Sequence, residues 1–523
     1  MINRRLFIRN TGLGAASLGL MTAFPGFSQA LISAKPFVLP RSTPEKQGIS
    51  PAAIRNFLDT VSKSKQEFHS LMILRHGHVV AEGWWAPYSS EHRMQLYSLS
   101  KSFTSTAIGF AVTEGLLSVD DPVIRFFPDD LPAEISENLA ALKVKHLLMM
   151  SVGHAKDSIM ILEASPAGVR WEKTFLNQPV VFKPGTQFMY NSGASYMLSS
   201  IVKKVSGKTA HEFLRPRLYE PLDIPEATWT ENFEGVNMGA SHLRMRTESL
   251  AKFGQLYLQK GKWNGKQVLS EKWIAEATSK QIENGKNDSS WGYGYQFWLN
   301  PPGGFRADGA FGQFTMVLPE QDAVVVITSE SMDTKTTMQL VWDGLVSAMT
   351  SAALPESSVE QKQLRVDLRA LKYDPPKLGT NSTAAARISG KEFLLDNNQF
   401  NAKAVSFQFD GDKCIFTLKE DGKPDIEITN GMNYWIRKGN LKPAPHSLFS
   451  LRRIDFDSIV AASATWQNEN TLLLTWRFIE TVHGDSLTCI FDGDQLIIKF
   501  LFSVARLQNK PDDRPDISCT MMA

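Results

Sequence analysis

Ser98-Leu99-Ser100-Lys101 places a lysine three residues after a serine. On a helix that spacing puts the hydroxyl and the amine on one face, one turn apart and within hydrogen-bonding reach. The chemistry open to such a pair is nucleophilic attack on an acyl carbon, with the lysine taking the hydroxyl proton if its own pKa is lowered. Residues Ser98 to Leu116 read as a helix, because Phe103, Ala107, Phe110, Ala111 and Val112 recur at helical spacing, and Gly115 followed by Asp120-Asp121-Pro122 ends it. Ser98 would stand at its N-terminus, where backbone N–H groups and the dipole favour a developing negative charge. The same spacing occurs at Ser62–Lys65, Ser200–Lys203 and Ser249–Lys252. Ser62 lies in a charged stretch, and Lys203 and Lys252 fit the solvated face of amphipathic helices. Only Ser98 begins a long apolar helix, yet spacing and context alone leave an ordinary N-cap serine almost as good a reading.

Two further segments carry parts that such chemistry needs. Lys183-Pro184-Gly185-Thr186-Gln187-Phe188-Met189-Tyr190-Asn191-Ser192-Gly193 reads as a tight turn and a short apolar strand, with Tyr190 exposed before a helix over Ala194 to Val205. A tyrosine there can share a proton with the lysine; with an ordinary pKa of about 10 it is a base only if its phenolate is stabilised. The competing reading is a tyrosine whose hydroxyl bonds a backbone group. Later, Gly303-Gly304-Phe305-Arg306-Ala307-Asp308-Gly309-Ala310-Phe311-Gly312-Gln313 is a glycine-rich lip. Two antiparallel strands follow it, Phe314 to Leu318 and Ala323 to Thr328, joined by a Pro319-Glu320-Gln321-Asp322 turn. A peptide N–H of that lip would join the N–H of Ser98 in holding an oxyanion.

The elements around these segments divide the chain of 523 residues. Helical and strand-like stretches alternate over 36–352, helical spacing interrupted by Pro355 and stopped at Pro375-Pro376 marks a linker over 353–376, and 377–523 reads as β-rich. In that last part Ala404 to Phe409, Lys413 to Leu418, Thr471 to Phe478, Ser486 to Phe491 and Gln495 to Phe502 are strands. Asp410-Gly411-Asp412 and Asp492-Gly493-Asp494 are turns, so an antiparallel β-sandwich or small barrel is expected. Cys414, Cys489 and Cys519 all fall there with no zinc-like spacing, and one disulfide, Cys414 to Cys489 for example, stays open. His76-Gly77-His78 looks like a metal pair but lies between two strand-like runs and reads as a hairpin turn. His146, before a leucine pair in a helix, reads as structural, and Trp84-Trp85 as core or pocket. A net charge of +2 without a basic run argues against nucleic acid as a partner.

The N-terminus reads as an address. Arg4-Arg5-Leu6-Phe7-Ile8-Arg9 resembles the twin-arginine export signal, and Thr11 to Phe27 is uncharged but too short and too mildly apolar to span a bilayer. Residues 1–30 are thus expected to be a signal peptide cleaved after Ala30, with Ala34 as the second choice. The mature protein would be periplasmic or secreted, with no membrane anchor.

Taken together, Ser98 to Thr104, Lys145 to Gly153, Pro184-Gly185-Thr186 with Tyr190, and Leu243 to Gly254 resemble, in order over about residues 44–352, the serine β-lactamase-related hydrolases. The likeness is to the branch of class C β-lactamases, esterases and 6-aminohexanoate-dimer hydrolases. It implies an α/β (α+β) fold of the β-lactamase/transpeptidase type, an antiparallel sheet packed on helices. It also implies Ser98 as the acylated nucleophile, Lys101 and Tyr190 as the general-base pair, and the backbone N–H groups of Ser98 and Ala310 as the oxyanion hole. Departures bear on the substrate. Ser192 stands where the family commonly has the asparagine of Tyr-x-Asn, and Ala307-Asp308-Gly309 stands where β-lactamases have Lys-Thr-Gly. Asp308 would then face a substrate amine or, more simply, turn outward. Ser192, Asp308, Gly309, Gln313 and His242 are the expected substrate-binding residues, with Gln313 also ordering the strand beside the lip and Trp291 lining the pocket with His242. The reading is an exported serine hydrolase of a small-molecule ester or amide, without metal or organic cofactor. The alternatives are a D-amino-acid peptidase, a weak β-lactamase, or a non-catalytic cell-wall or ligand-binding protein.

Overall fold

Ala323–Ser329, with the sequence AVVVITS, is buried along its whole length, and so is Phe68–Arg75. Strands so uniformly apolar belong at the centre of a sheet covered on both faces. In the computed structural model, which describes residues 38–285, 291–300, 303–379, 382–441 and 458–522, they pair antiparallel, with Leu71 opposite Ile327. The sheet runs in the order His78–Trp84, Phe68–Arg75, Ala323–Ser329, Gln313–Leu318, Phe305–Gly309 and Trp298–Leu299. Its neighbouring strands are all antiparallel. His76 and Gly77, at φ 47° and 73°, form the two-residue turn that the sequence predicts. The expected signal peptide, with its cleavage site, lies outside the described residues.

One face of the sheet packs on helices Pro51–Lys63, Thr334–Gly344 and Ser358–Arg369. Ile54, Phe57, Val341, Leu345 and Leu364 meet Leu71, Ile73, Phe314, Val325 and Ile327 there. The last of these helices falls in the stretch expected to be a linker, but it is pinned to this layer. Arg55 pairs with both Glu360 and Asp367, and Leu368 and Leu371 press so closely on the sheet that a Cβ at Gly83 would come within 2.6 Å of Leu371. The other face meets helix Thr247–Leu258, where a Cβ at Gly254 would come within 2.6 Å of Val324. Phe253 of that helix stacks at 4.0 Å on Phe103 of helix Ser100–Thr113. The latter helix is buried on nearly every side, and its hydroxyls are satisfied within the core, Ser102 donating to the Gln296 carbonyl and Thr104 to that of Gly239.

The C-terminal part is a barrel, not a sandwich. Among the described residues nine strands close a ring: Ile426–Met432, Lys413–Glu420, Ala402–Asp410, Glu392–Leu395, Ile517–Met521, Gln495–Phe502, Gly484–Asp492, Thr471–Phe478 and Ser458–Asn468. Successive pairs are antiparallel, and the closing contact, Gly431 opposite Ser463 and Met432 opposite Ala464, is parallel. Ile436–Leu441 adds to Ser458–Asn468 outside the ring. Strict alternation of buried and partly exposed positions, as in Thr471–Phe478, fills the interior with side chains such as Phe407, Phe416, Trp476 and Phe491. Cys414, Cys489 and Cys519 lie in that interior as free thiols.

The barrel is joined to the sheet-bearing part by partly buried polar contacts. Glu67, at the foot of the central strand Phe68–Arg75, receives Arg477 and Arg506 from the barrel. Burial pushes the Glu67 carboxyl up, but these guanidiniums hold it well below the usual carboxylate range. Arg93 forks onto Glu480 at 2.8 and 2.9 Å, and Tyr88 and Met94 pack on Ile479 and Val482.

Candidate active site

The SxxK helix begins later than its spacing predicts. Tyr97–Leu99 is a single 3-10 turn and the α-helix runs over Ser100–Thr113, because Tyr97 adopts φ 49°, a left-handed conformation from which a helix cannot continue. Ser98 therefore sits on a tight turn before the helix. Leu243 fastens the turn from one side, its carbonyl accepting from the N–H of Leu96 at 2.9 Å and its N–H donating to Ser100 Oγ at 3.3 Å. From the other side the strand end at Gly309 lies against it. A Cβ there would be 2.2 Å from the Leu96 carbonyl oxygen and 3.1 Å from the Leu99 nitrogen, so the glycine is required by close approach to the turn that carries Ser98.

Lys101, 2 % exposed, directs Nζ to Ser98 Oγ at 2.9 Å and to the Ala240 carbonyl at 3.1 Å. Burial lowers its pKa to about 7 against the opposing pull of Asp157. Tyr190 is hydrogen-bonded to Ser98, and its ring lies 4.8 Å from Lys101 Nζ and stacks on Trp298 at 5.7 Å. Burial pushes its phenol well above the ordinary value, and the hydrogen bond to Ser98 only partly offsets this. Tyr190 is thus a neutral phenol, and the amine is the group in the site able to accept a proton near neutrality.

Asn191 caps the following helix, Ser192–Ser206, by accepting from the N–H groups of Ala194 and Ser158 at 3.2 Å each. That cap fixes the backbone just after Tyr190. Ser192 contributes its N–H, which donates to Asp157 Oδ1 at 2.8 Å. The lip is held from within. Gln313 is fully buried and its amide donates to the carbonyls of Ala310 and Ser329, so it orders the lip instead of meeting a substrate. Ser329 Oγ donates to the carbonyls of Phe311 and Gly312, at φ 63° and 82°. Ala310 follows Gly309 directly, which brings the lip's backbone beside the turn that carries Ser98.

Asp308 does not turn outward. It lies in strand Phe305–Gly309, burial raises its carboxyl, and it pairs with Arg306 Nε at 2.8 Å. Arg306 also donates to Asn300 Oδ1 at 2.8 Å. His242, at φ 67°, bonds Ser241 Oγ beside the loop that presents the Ala240 carbonyl. Trp291 is 56 % exposed; the indole that lies on Tyr190 is Trp298, which the sequence reading passes over. It equally misses Asp157 and the Ala240 carbonyl, both set by chain folding and carrying no local motif.

The other serine–lysine spacings separate on geometry. Lys203 and Lys252 do not point to solvent: Lys203 Nζ donates to the carbonyls of Glu234 and Gly235, and Lys252 Nζ to that of Asp223. Ser200 is turned to Glu172 and Ser249 to Glu226. Ser62 bonds the Asp59 carbonyl on the surface. His146 accepts from the Lys143 N–H at 3.1 Å as a helix cap, as the structural reading has it.

A family model described as Beta-lactamase matches residues 69–350, more than half of the chain. The 6-aminohexanoate-dimer hydrolase of Paenarthrobacter ureafaciens is 24 % identical over 303 residues, spanning 54 % of this chain and 76 % of that protein. The lovastatin esterase of Penicillium rubens is 30 % identical over 162 residues, 27 % of this chain and 40 % of that one. Among solved structures, the octameric penicillin-binding protein homologue from Pyrococcus abyssi superposes with a TM-score of 0.48 at 16 % identity, over 89 % of this chain and 99 % of that one. The first two of these relatives are named a hydrolase and an esterase, and the chain belongs to the β-lactamase family, among the serine β-lactamase-related hydrolases.

Proposed function

We propose that the protein hydrolyses an ester or amide bond of a small molecule through an acyl-enzyme on Ser98. The observation that carries this reading is the buried Lys101 amine, 2.9 Å from Ser98 Oγ and with a pKa of about 7. In its neutral form it takes the Ser98 proton as Oγ attacks the carbonyl carbon. The N–H groups of Ser98 and Ala310 receive the oxyanion. Tyr190, a neutral phenol bonded to Ser98, relays the proton from Lys101 to the departing alkoxide or amine, which leaves as alcohol or amine. Water then attacks the acyl-Ser98 carbonyl, gives its proton to Lys101, and the acid is released with Ser98 restored.

The substrate class follows from charge. Where Lys-Thr-Gly enzymes carry a cation for a substrate carboxylate, this site has Asp308 neutralising Arg306. That supports a neutral ester or amide over a β-lactam. A 6-aminohexanoate-dimer hydrolase and a lovastatin esterase among the relatives are consistent with either bond. The test is intact-mass labelling with a fluorophosphonate. One adduct on the Ser98 peptide, absent in Ser98→Ala, is expected; no adduct, or an adduct that survives the substitution, overturns the reading.

A further inference from the structure

Strands Thr471–Phe478 and Gly484–Asp492 of the barrel are joined by a short connection, 479–483, that reaches the nucleophile turn. Its last residue, His483, is buried and held at both ring nitrogens. Nδ1 lies 2.6 Å from Glu330 Oε1, and Nε2 lies 2.6 Å from the Tyr97 hydroxyl. Glu330 directly follows the central strand Ala323–Ser329, is itself buried, and also accepts from Ser503 Oγ. A carboxylate can only accept, so Nδ1 carries a proton toward Glu330, while Nε2 shares a hydrogen bond with the Tyr97 hydroxyl. Burial and the Glu330 charge keep that phenol protonated. The imidazole ring also meets Phe311 edge-on at 4.8 Å, and Phe311 meets Tyr97 at 5.2 Å.

Tyr97 and Phe311 share two properties. Both are non-glycine residues in the left-handed region, at φ 49° and 63°. Such a conformation persists only where neighbouring structure over-determines it. Each is also next in sequence to one of the residues whose N–H the proposed mechanism uses, Tyr97 before Ser98 and Phe311 after Ala310. One side chain from the barrel therefore braces the backbone on both sides of the oxyanion site. We propose that His483 is a positioning residue of the hydrolase, holding Tyr97 and Phe311 so that the Ser98 and Ala310 amides converge, and that the barrel is thereby part of the catalytic apparatus.

This inference rests on Ser98 being the nucleophile, and its test separates the two. The variants are Tyr97→Phe, which removes one hydroxyl and leaves His483 on Glu330, and His483→Phe, which keeps a ring against Phe311 but loses both hydrogen bonds. Phe393→Leu, in the barrel interior away from the connection, serves as a destabilised control. Steady-state cleavage of p-nitrophenyl acetate and the rate of fluorophosphonate labelling are measured well below each variant's Tm. The expected result is a kcat and a labelling rate about tenfold lower in Tyr97→Phe and His483→Phe, with KM within about twofold. The double variant should be no worse than the poorer single variant, because both act through one hydrogen bond. The acid-side midpoint near pH 7 should stay in place, and Phe393→Leu should lower Tm without changing kcat. Unchanged kcat in Tyr97→Phe and His483→Phe, a loss confined to KM, strictly additive losses, or the same kcat loss in Phe393→Leu would each overturn the positioning role. Absence of labelling in the unmodified protein would instead remove the nucleophile itself.

Discussion

The Lys101 amine sits 4.8 Å from the centre of the Tyr190 ring, and burial drives the two groups in opposite directions, the amine down to about 7 and the phenol up. Both shifts favour the neutral forms. In the proposed mechanism the base and the proton donor would thus be ready in the same pH range, without needing a phenolate.

Activity should therefore follow the Lys101 amine. With its pKa at about 7, kcat/KM should fall about tenfold per pH unit below that point and level off above it. Tyr190→Phe should lower kcat by roughly 10²–10⁴ while leaving that midpoint in place. A rate that keeps climbing past pH 10 would assign the base to Tyr190 instead.

Lys101 is costly to the fold. Its pKa is 10.5 in an exposed chain and about 7 when folded, so between those values the unfolded chain binds more protons and stability rises with pH. Lys101→Met should abolish turnover and raise stability by roughly 2–4 kcal/mol at or below pH 7. The gain should narrow toward pH 10. Thermal melts of both proteins across that range measure it.

The Arg306–Asp308 pair is expected to set a preference for substrate charge. p-Nitrophenyl acetate should be a far better substrate than nitrocefin, by at least about 100-fold in kcat/KM. Asp308→Asn removes the carboxylate paired with Arg306 Nε, and should lower KM for an ester whose acyl part carries a carboxylate while leaving KM for the acetate nearly unchanged. Steady-state kinetics on the two esters decide it.

Gly309 is fixed by contact, since the space for a Cβ is taken by the backbone of Leu96 and Leu99. Gly309→Ala should destabilise by about 1–3 kcal/mol. It should also lower kcat, because the atoms that must move flank Ser98. A melt combined with fluorophosphonate labelling reads both effects.

The Glu67–Arg477 contact predicts acid sensitivity. Glu67 is held far below its ordinary 4.5, so its contribution is complete above that value and drains away as pH falls further. Arg477→Ala leaves the carboxylate with only Arg506 and the His69 ring beside it, and should cost about 3–5 kcal/mol at neutral pH. A pH series of denaturant melts checks the sign.

What the sequence discloses follows the range of the interaction. The barrel strands flanking Asp410-Gly411-Asp412 and Asp492-Gly493-Asp494 are legible because the turn and the alternation lie side by side. Glu392–Leu395 is short, and Ser458–Asn468 is rich in small residues and its turn, Glu469-Asn470, carries no glycine, so neither announces itself. In the site, the Ser98–Lys101 pair and the Tyr190 segment are local motifs. The solvated faces assigned to Lys203 and Lys252 fail because a lysine stem can bury while its amine caps distant carbonyls. His483 meets Tyr97 across 386 residues, a pairing that no local pattern encodes.

The central sheet joins chain segments made far apart in time. Ser70 and Thr328, 258 residues apart, share a hydrogen bond on neighbouring strands, so the strand FHSLMILR waits for its inner partner until more than half of the polypeptide exists. Until then only the hairpin with His78–Trp84 can form, and it leaves a long apolar edge of unpaired backbone. Chains terminated before Ala323 should be aggregation-prone and not partly active, and the full protein should refold slowly for its size, as topologies dominated by distant pairings do.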